Sequence, residues 1–294
     1  MSATGPLREA LADYLTLRRA LGYRLARPET LLGQFLDYLE DVGARTVTVP
    51  DALAWASRSA DAGPNWRAYR LSVVRGFATH LHTLDPAHEV PAADLLPRRP
   101  KRATPYLYSE QDIAVLIAAA ELLPSPLRRV TFATLVGLLA VTGMRVGEAI
   151  GLDRGDVDLD RGLLLVRHGK FDKTRELMLH PSTCDALRRF LADQARLAPS
   201  PRTAALFVSN AGTRLLYRNV QRAFQQMVHV AGLTPRSGSC RPRIHDLRHS
   251  FAVRSMLDAY TAGEDGQARL TLISTYLGHV HPTSTYWYCR RRRS

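Results

Sequence analysis

The sequence predicts a mainly α-helical protein in two domains, the second of which carries a small antiparallel β-sheet. Three observations predict this. Apolar residues recur at three- and four-residue spacing along much of the chain, the period of a one-sided helix. The segment Leu96–Pro105 holds three prolines and four cations, which marks an extended, positively charged linker. Leu163–Val166 and Leu177–Leu179 are short apolar runs around a turn at Gly169–Asp172, as in a hairpin. A length of 294 residues suits two ordinary domains. The expected division is residues 1–97, a linker at 98–105, and residues 106–294.

In the first domain, Leu7, Leu11, Tyr14 and Leu15 share one helix face, as do Leu31, Leu32, Phe35, Leu36 and Leu39. A third helix follows Pro50-Asp51, with Leu53 and Trp55 inward. A fourth runs from about Asn65 to His82, with Trp66, Tyr69, Val73, Phe77 and Leu81 on one side, until Pro86 and Pro91 break the pattern. The second domain opens at Ser109, with Asp112 three residues on as a capping box and the apolar run Ile113–Leu122 after it. A helix from about Pro126 to Val141 stops at Thr142-Gly143. Further helices are expected near 182–197, 216–231, 245–259 and 266–277, with a short strand at Leu206–Val208.

Forty Lys and Arg against 27 Asp and Glu give a formal net charge of +13. A surplus of that size favours a polyanionic partner, because each neutralised phosphate releases condensed counterions. A solvated basic surface or an arginine-rich codon bias is the plainer account. Cys184, Cys240 and Cys289 are scattered, with neither zinc-ligand spacing nor a disulfide framework. The N-terminus lacks a basic region followed by an apolar core, and Val130–Met144 is too short to span a bilayer. The expectation is a cytoplasmic protein with no membrane partner.

Four stretches can carry chemistry. In Thr142–Ala149, a glycine ends one helix and places Arg145 in the first turn of the next, where a guanidinium beside free N–H groups suits a phosphate. An ion pair with Glu148 is the structural alternative. Only three of the 40 cations are lysines, Lys101, Lys170 and Lys173, and two of them sit at the hairpin tip. A lysine among cations can be tuned to donate a proton, which arginine cannot; a solvated turn is the plainer account. In Ile244–Ala252, His245 and Arg248 are three apart and share a helix face, while Leu247, Phe251 and Ala252 pack and His249 caps or packs elsewhere. Last, a helix ends at Gly278, His279 sits in the turn, and a helix after Pro282 carries Tyr286, Trp287 and Tyr288. Together these supply two arginines, a lysine, two histidines and a tyrosine without an acidic cluster for Mg²⁺. That is an inventory for metal-free phosphodiester exchange.

The order Arg, Lys, His-x-x-Arg, Gly-His, Tyr resembles the tyrosine recombinases, the phage-integrase-like enzymes that include the Xer recombinases. Thr-Gly-Met-Arg-Val-Gly-Glu is similar to the family's first arginine box, at Arg145. Gly-Lys-Phe-Asp-Lys-Thr-Arg-Glu resembles the lysine hairpin, at Lys170. His-Asp-Leu-Arg-His-Ser-Phe-Ala resembles the second box, at His245 and Arg248, and Leu-Gly-His the third, at His279. The family nucleophile lies nine residues after that histidine, which is Tyr288. The resemblance implies an N-terminal core-binding, SAM-like helical domain and a C-terminal α+β catalytic domain. It also implies attack by Tyr288 on double-stranded DNA through a 3′-phosphotyrosyl bond, with no metal, cofactor or ATP. Four protomers, or paired recombinases, would clamp two duplexes, as befits a mobile-element integrase.

Two departures bear on this. Tyr286 competes with Tyr288, although the two point about 200° apart on a helix. After Tyr288 only Cys289–Ser294 follow, where the family continues into a helix that packs on a neighbour. Weakened tetramer assembly is therefore expected. The competing functions are a topoisomerase of the related nicking type and a catalytically impaired DNA-binding remnant of an integrase.

Overall fold

A computed structural model describes residues 5–23, 25–58, 63–96, 103–167, 174–198 and 200–278. The chain divides into two compact units, Met1–Arg102 and Ala103–Ser294.

The first unit contains four helices: α1 (Gly5–Ala20), α2 (Ala26–Asp41), α3 (Val49–Ser57) and α4 (Pro64–Leu84). The apolar stripes of α1 and α2 are buried where the spacing places them, with Leu32, Phe35, Leu36 and Leu39 fully enclosed. On helix α4, Phe77 and Leu81 are buried as expected, and the centre of the inward face is rotated toward Leu71, Val74 and Ala78. Leu71, Val74, Phe77, Ala78 and Leu81 form its core side, and Trp66, Tyr69 and Val73 are half-buried on the flank. Arg27 lies over Trp66, 4.5 Å from the ring centroid, so a cation covers the side of that ring left open by the core. In α3, Ala52 and Trp55 point inward and Leu53 is half-buried.

The second unit follows α5 (Glu110–Ala119), α6 (Pro126–Thr142), α7 (Val146–Gly151), β1 (Val157–Asp158), β2 (Leu163–Val166), β3 (Arg175–Met178), α8 (Pro181–Leu197), α9 (Tyr217–Val230), α10 (Asp246–Thr261) and α11 (Gly266–Tyr276). The mainly helical class with one small antiparallel sheet is therefore as expected. The capping box at Ser109 and Asp112 is formed, and α5 starts there. The sheet has the order β1-β2-β3, all antiparallel, with Leu164 opposite Leu177 and Val166 opposite Arg175. Leu164, Val166 and Leu177 point into the core, the one-sided burial that a two-residue period produces.

Two details correct the expected strands. β1 is two residues long, and two residues hold no detectable alternation. Leu206–Val208 is not a sheet strand: Ala205 bridges Asp153, and Val208 bridges Arg214 as an isolated contact. Its apolar side chains are buried because the segment runs through the core, where the Gln194 side-chain amide donates to the Leu206 carbonyl at 2.8 Å.

Candidate active site

The site is built around the end of α6. Gly143 closes that helix in the left-handed region at φ 60°, which L side chains avoid. A Cβ there would also overlap the Phe251 ring and lie 3.0 Å from a Leu277 methyl, so glycine is required twice over. The chain then turns sharply: Met144 is buried, and Arg145 caps α7 from an extended conformation, φ −74° and ψ 145°. Arg145 thus stands one residue before the first turn rather than inside it. The ion pair expected as the structural alternative is present, with Arg145 Nη1 2.7 Å from Glu148 Oε1. The Arg145 main-chain N–H donates to Glu148 Oε2 at 2.8 Å.

Glu148 is shared. Arg175, at the start of β3, donates from Nη2 to Oε2 at 2.7 Å and from Nη1 to Oε1 at 3.2 Å. Burial alone would raise the Glu148 pKa. The hydrogen bonds from Arg175 and Arg145 outweigh it and hold the carboxyl down at about 2. One carboxylate between two guanidiniums leaves the trio with a net positive charge.

The second box sits at the head of α10. Arg248 is 1% exposed and is the largest fully enclosed side chain of the described residues. Its Nη1 donates to the Gly143 carbonyl at 2.9 Å and its Nη2 to the Leu277 carbonyl at 2.7 Å. Arg145 Nη2 reaches the next carbonyl, Gly278 O, at 3.4 Å. The two arginines therefore converge on one turn, the one that leads to His279. His245 and Arg248 share the helix head but not their surroundings: His245 keeps part of its surface in solvent with protein packed around it, while Arg248 is sunk beside Leu247 and Ala252. His249 is a packing histidine as expected, buried with its ring 5.2 Å from that of His245.

Asp246 and Arg243 anchor this helix head. Asp246 is fully buried, accepts from Arg243 Nε and Nη2 at 2.9 and 3.0 Å, and accepts from the Tyr106 N–H at 3.2 Å. Burial raises the Asp246 pKa, and the Arg243 and Tyr106 hydrogen bonds oppose that shift. The Tyr108 N–H donates to Ser250 Oγ at 2.8 Å, so residues 104–108 lie strapped along α10.

His245 is the titrating group of this arrangement. Desolvation by the surrounding protein, then the charges of Arg248, Arg145 and Arg243, hold its pKa below the ordinary 6.5. This shift favours the neutral imidazole, the form able to accept a proton. The folded chain holds this proton more weakly than the unfolded chain. The group's contribution to stability is thus present above pH 6.5 and lost as pH falls through the folded value. An NMR titration of DNA-free protein is expected to place the His245 midpoint below 6.5, and Arg145→Ala to move it upward. A midpoint unmoved by Arg145→Ala would contradict this electrostatic account.

Lys170, His279, Tyr286 and Tyr288 lie outside the described residues. Arg145, His245 and Arg248 are the expected site residues that the structure brings together. Two participants were missed from the sequence, Arg175 and Asp246. A signal existed for Arg175: alternation from Leu177 puts it on the inward side of β3, where a cation needs a partner. Asp246 carried none, since a residue between His245 and Leu247 reads as an ordinary first-turn acid. Among the described residues, no group of three or more His, Cys, Asp or Glu could hold a metal ion, and no helix is long and apolar enough to cross a membrane.

Residues 107–294 match the phage integrase family, a span that includes every box above. The chain belongs to this family, the tyrosine recombinases. Among relatives of the integrase-family chain, y4rB of Sinorhizobium fredii, named an integrase/recombinase, is 41% identical over 287 residues, covering 96% of this chain and 91% of that protein. The tyrosine recombinase XerC of Corynebacterium efficiens is 30% identical over 244 residues, covering 82% and 73%. A solved lambda integrase tetramer bound to a Holliday junction superposes with a TM-score of 0.59 at 18% identity, covering 96% of this chain and 76% of that one. At that identity the likeness speaks to fold alone. Family membership makes this tyrosine recombinase a DNA recombinase enzyme, acting in site-specific DNA recombination.

Proposed function

We propose that this tyrosine recombinase cleaves and rejoins DNA through a 3′-phosphotyrosyl intermediate on Tyr288, without metal or ATP. The observation that carries the proposal is the convergence of Arg145 and Arg248 on the turn at Leu277-Gly278, with His245 at the head of the helix that bears Arg248. Two guanidiniums there suit the non-bridging oxygens of one phosphate, where charge grows in the transition state. The Tyr288 phenol oxygen attacks phosphorus as its proton passes to His245. The bond from phosphorus to the 5′ oxygen breaks, and Lys170 protonates that leaving oxygen. His279 donates to the phosphate. A 5′-hydroxyl of a second strand then reverses the attack, so the bond energy is conserved and no nucleotide is consumed.

In this reading residues 1–97 clamp the duplex, 98–105 link, and 106–294 carry the chemistry, within the cytoplasm. Four protomers hold two duplexes; the lambda integrase neighbour is likewise a tetramer, bound to a Holliday junction. The test is a nicked suicide duplex drawn from DNA flanking the gene, incubated with protein and a chelator. A covalent protein–DNA adduct on a denaturing gel is expected. A salt-sensitive gel shift without an adduct would instead identify a DNA-binding remnant. Plasmid relaxation by the monomer without strand exchange would identify a topoisomerase.

A further inference from the structure

We infer that Arg175 is a positioning residue that keeps Arg145 available to the scissile phosphate, by taking up the charge of Glu148. The inference rests on the strand-transfer reading above. Arg175 contacts both Glu148 oxygens, at 2.7 and 3.2 Å, and its side chain is 16% exposed. Both of its terminal nitrogens are thus engaged with the carboxylate. Arg145 is more open at 25% and makes one 2.7 Å contact with the same carboxylate.

The charges decide the consequence. With Arg175 present, two cations face one anion and the surplus positive charge falls to the more exposed Arg145. Without Arg175, Glu148 and Arg145 form a neutral pair that offers an incoming phosphate little attraction. The carboxylate would also be free to draw the Arg145 guanidinium away from Gly278 O.

A second, independent contact ties Arg175 to the same turn. Gly278 adopts φ 67°, and a Cβ placed on it would lie 3.2 Å from Arg175 Nη1 and 3.5 Å from its central carbon. The guanidinium therefore packs close to this turn, where a Cβ would make a tight contact. Arg175 joins three parts of the site: the β3 strand, the Arg145 cap through Glu148, and the turn preceding His279. The glycine of the Leu-Gly-His box suits its positive dihedral and leaves room for this approach.

The experiment compares single-turnover adduct formation on a suicide duplex with a normal scissile phosphate and on one with a neutral methylphosphonate there. The neutral linkage carries no charge for Arg145 to meet. On the normal substrate Arg175→Ala is expected to slow adduct formation about 100-fold, the scale of a misplaced catalytic group. Binding by gel shift should change less than about 3-fold, one phosphate contact among many. On the methylphosphonate the Arg175→Ala defect should shrink to within about 5-fold of wild type, as should that of Arg145→Ala. Arg175→Lys, which keeps the charge but cannot span both carboxylate oxygens, should fall between the two. It also serves as the second variant if Arg175→Ala fails to fold. An equal Arg175 defect on both linkages, or none on the phosphodiester, overturns the inference while leaving the reaction intact. Failure of the wild-type protein to form an adduct on either linkage overturns the reaction and the inference with it.

Discussion

Tyr288→Phe is expected to abolish covalent attachment to DNA, while Tyr286→Phe leaves it within a few-fold of wild type. The phenol oxygen is the atom that becomes bonded to phosphorus, and phenylalanine keeps the ring while deleting that atom. Loss of a nucleophile costs on the order of 10⁴-fold or more in rate, which on a suicide substrate means no adduct. The two tyrosines lie two residues apart, so a helix through them aims them about 200° apart and only one can face the phosphate. The spacing from His279 selects Tyr288. Trapping by the Tyr288→Phe protein on a denaturing gel would contradict the assignment.

Arg248→Ala is expected to damage both fold and reaction. Arg248 is 1% exposed and satisfies the carbonyls of Gly143 and Leu277. Alanine leaves two buried acceptors without that donor and opens space beside Leu247, which together cost about 2–5 kcal/mol. The two turns that Arg248 ties together carry Arg145 on one side and lead to His279 on the other, so their geometry loosens as well. Denaturant unfolding should show a lowered midpoint with little change in slope, and adduct formation should vanish even where the protein remains folded. Arg248→Lys should recover part of the stability, since an ammonium reaches one carbonyl, but little of the activity. Unchanged stability in Arg248→Ala would mean that the two carbonyl bonds matter little to the fold.

Much of the helical layout was legible because burial and period coincide. The stripe Leu31–Leu39 is buried as its spacing predicts, and Ser109 caps α5 as its partner Asp112 predicts. On helix α4 the spacing finds Phe77 and Leu81, while Trp66 and Tyr69 sit at the edge of the core under Arg27, a rotation that aromatic size alone does not reveal. The Leu206–Val208 run has strand composition, but its neighbours in space supply only isolated bridges, which no local pattern encodes. At the site, Arg145, His245 and Arg248 stood out by residue type and order. The placement of Arg145 one residue earlier follows from the sharpness of the Gly143 turn. Arg175 is marked in the sequence only by its inward register on β3, its partner Glu148 lying 27 residues away, and Asp246 pairs both with Arg243, three residues before it, and with the Tyr106 N–H, 140 residues before it.

The central claim is a covalent bond between the Tyr288 oxygen and a DNA 3′ phosphate. It is tested most directly by mass spectrometry of the adduct, formed with a chelator present and digested with nuclease and protease. A nucleotide 3′-phosphate is expected on the peptide that contains Tyr288, at that residue. A nucleotide on Tyr286 or any other side chain, a linkage through the 5′ end, or an adduct that forms only with added metal would contradict it.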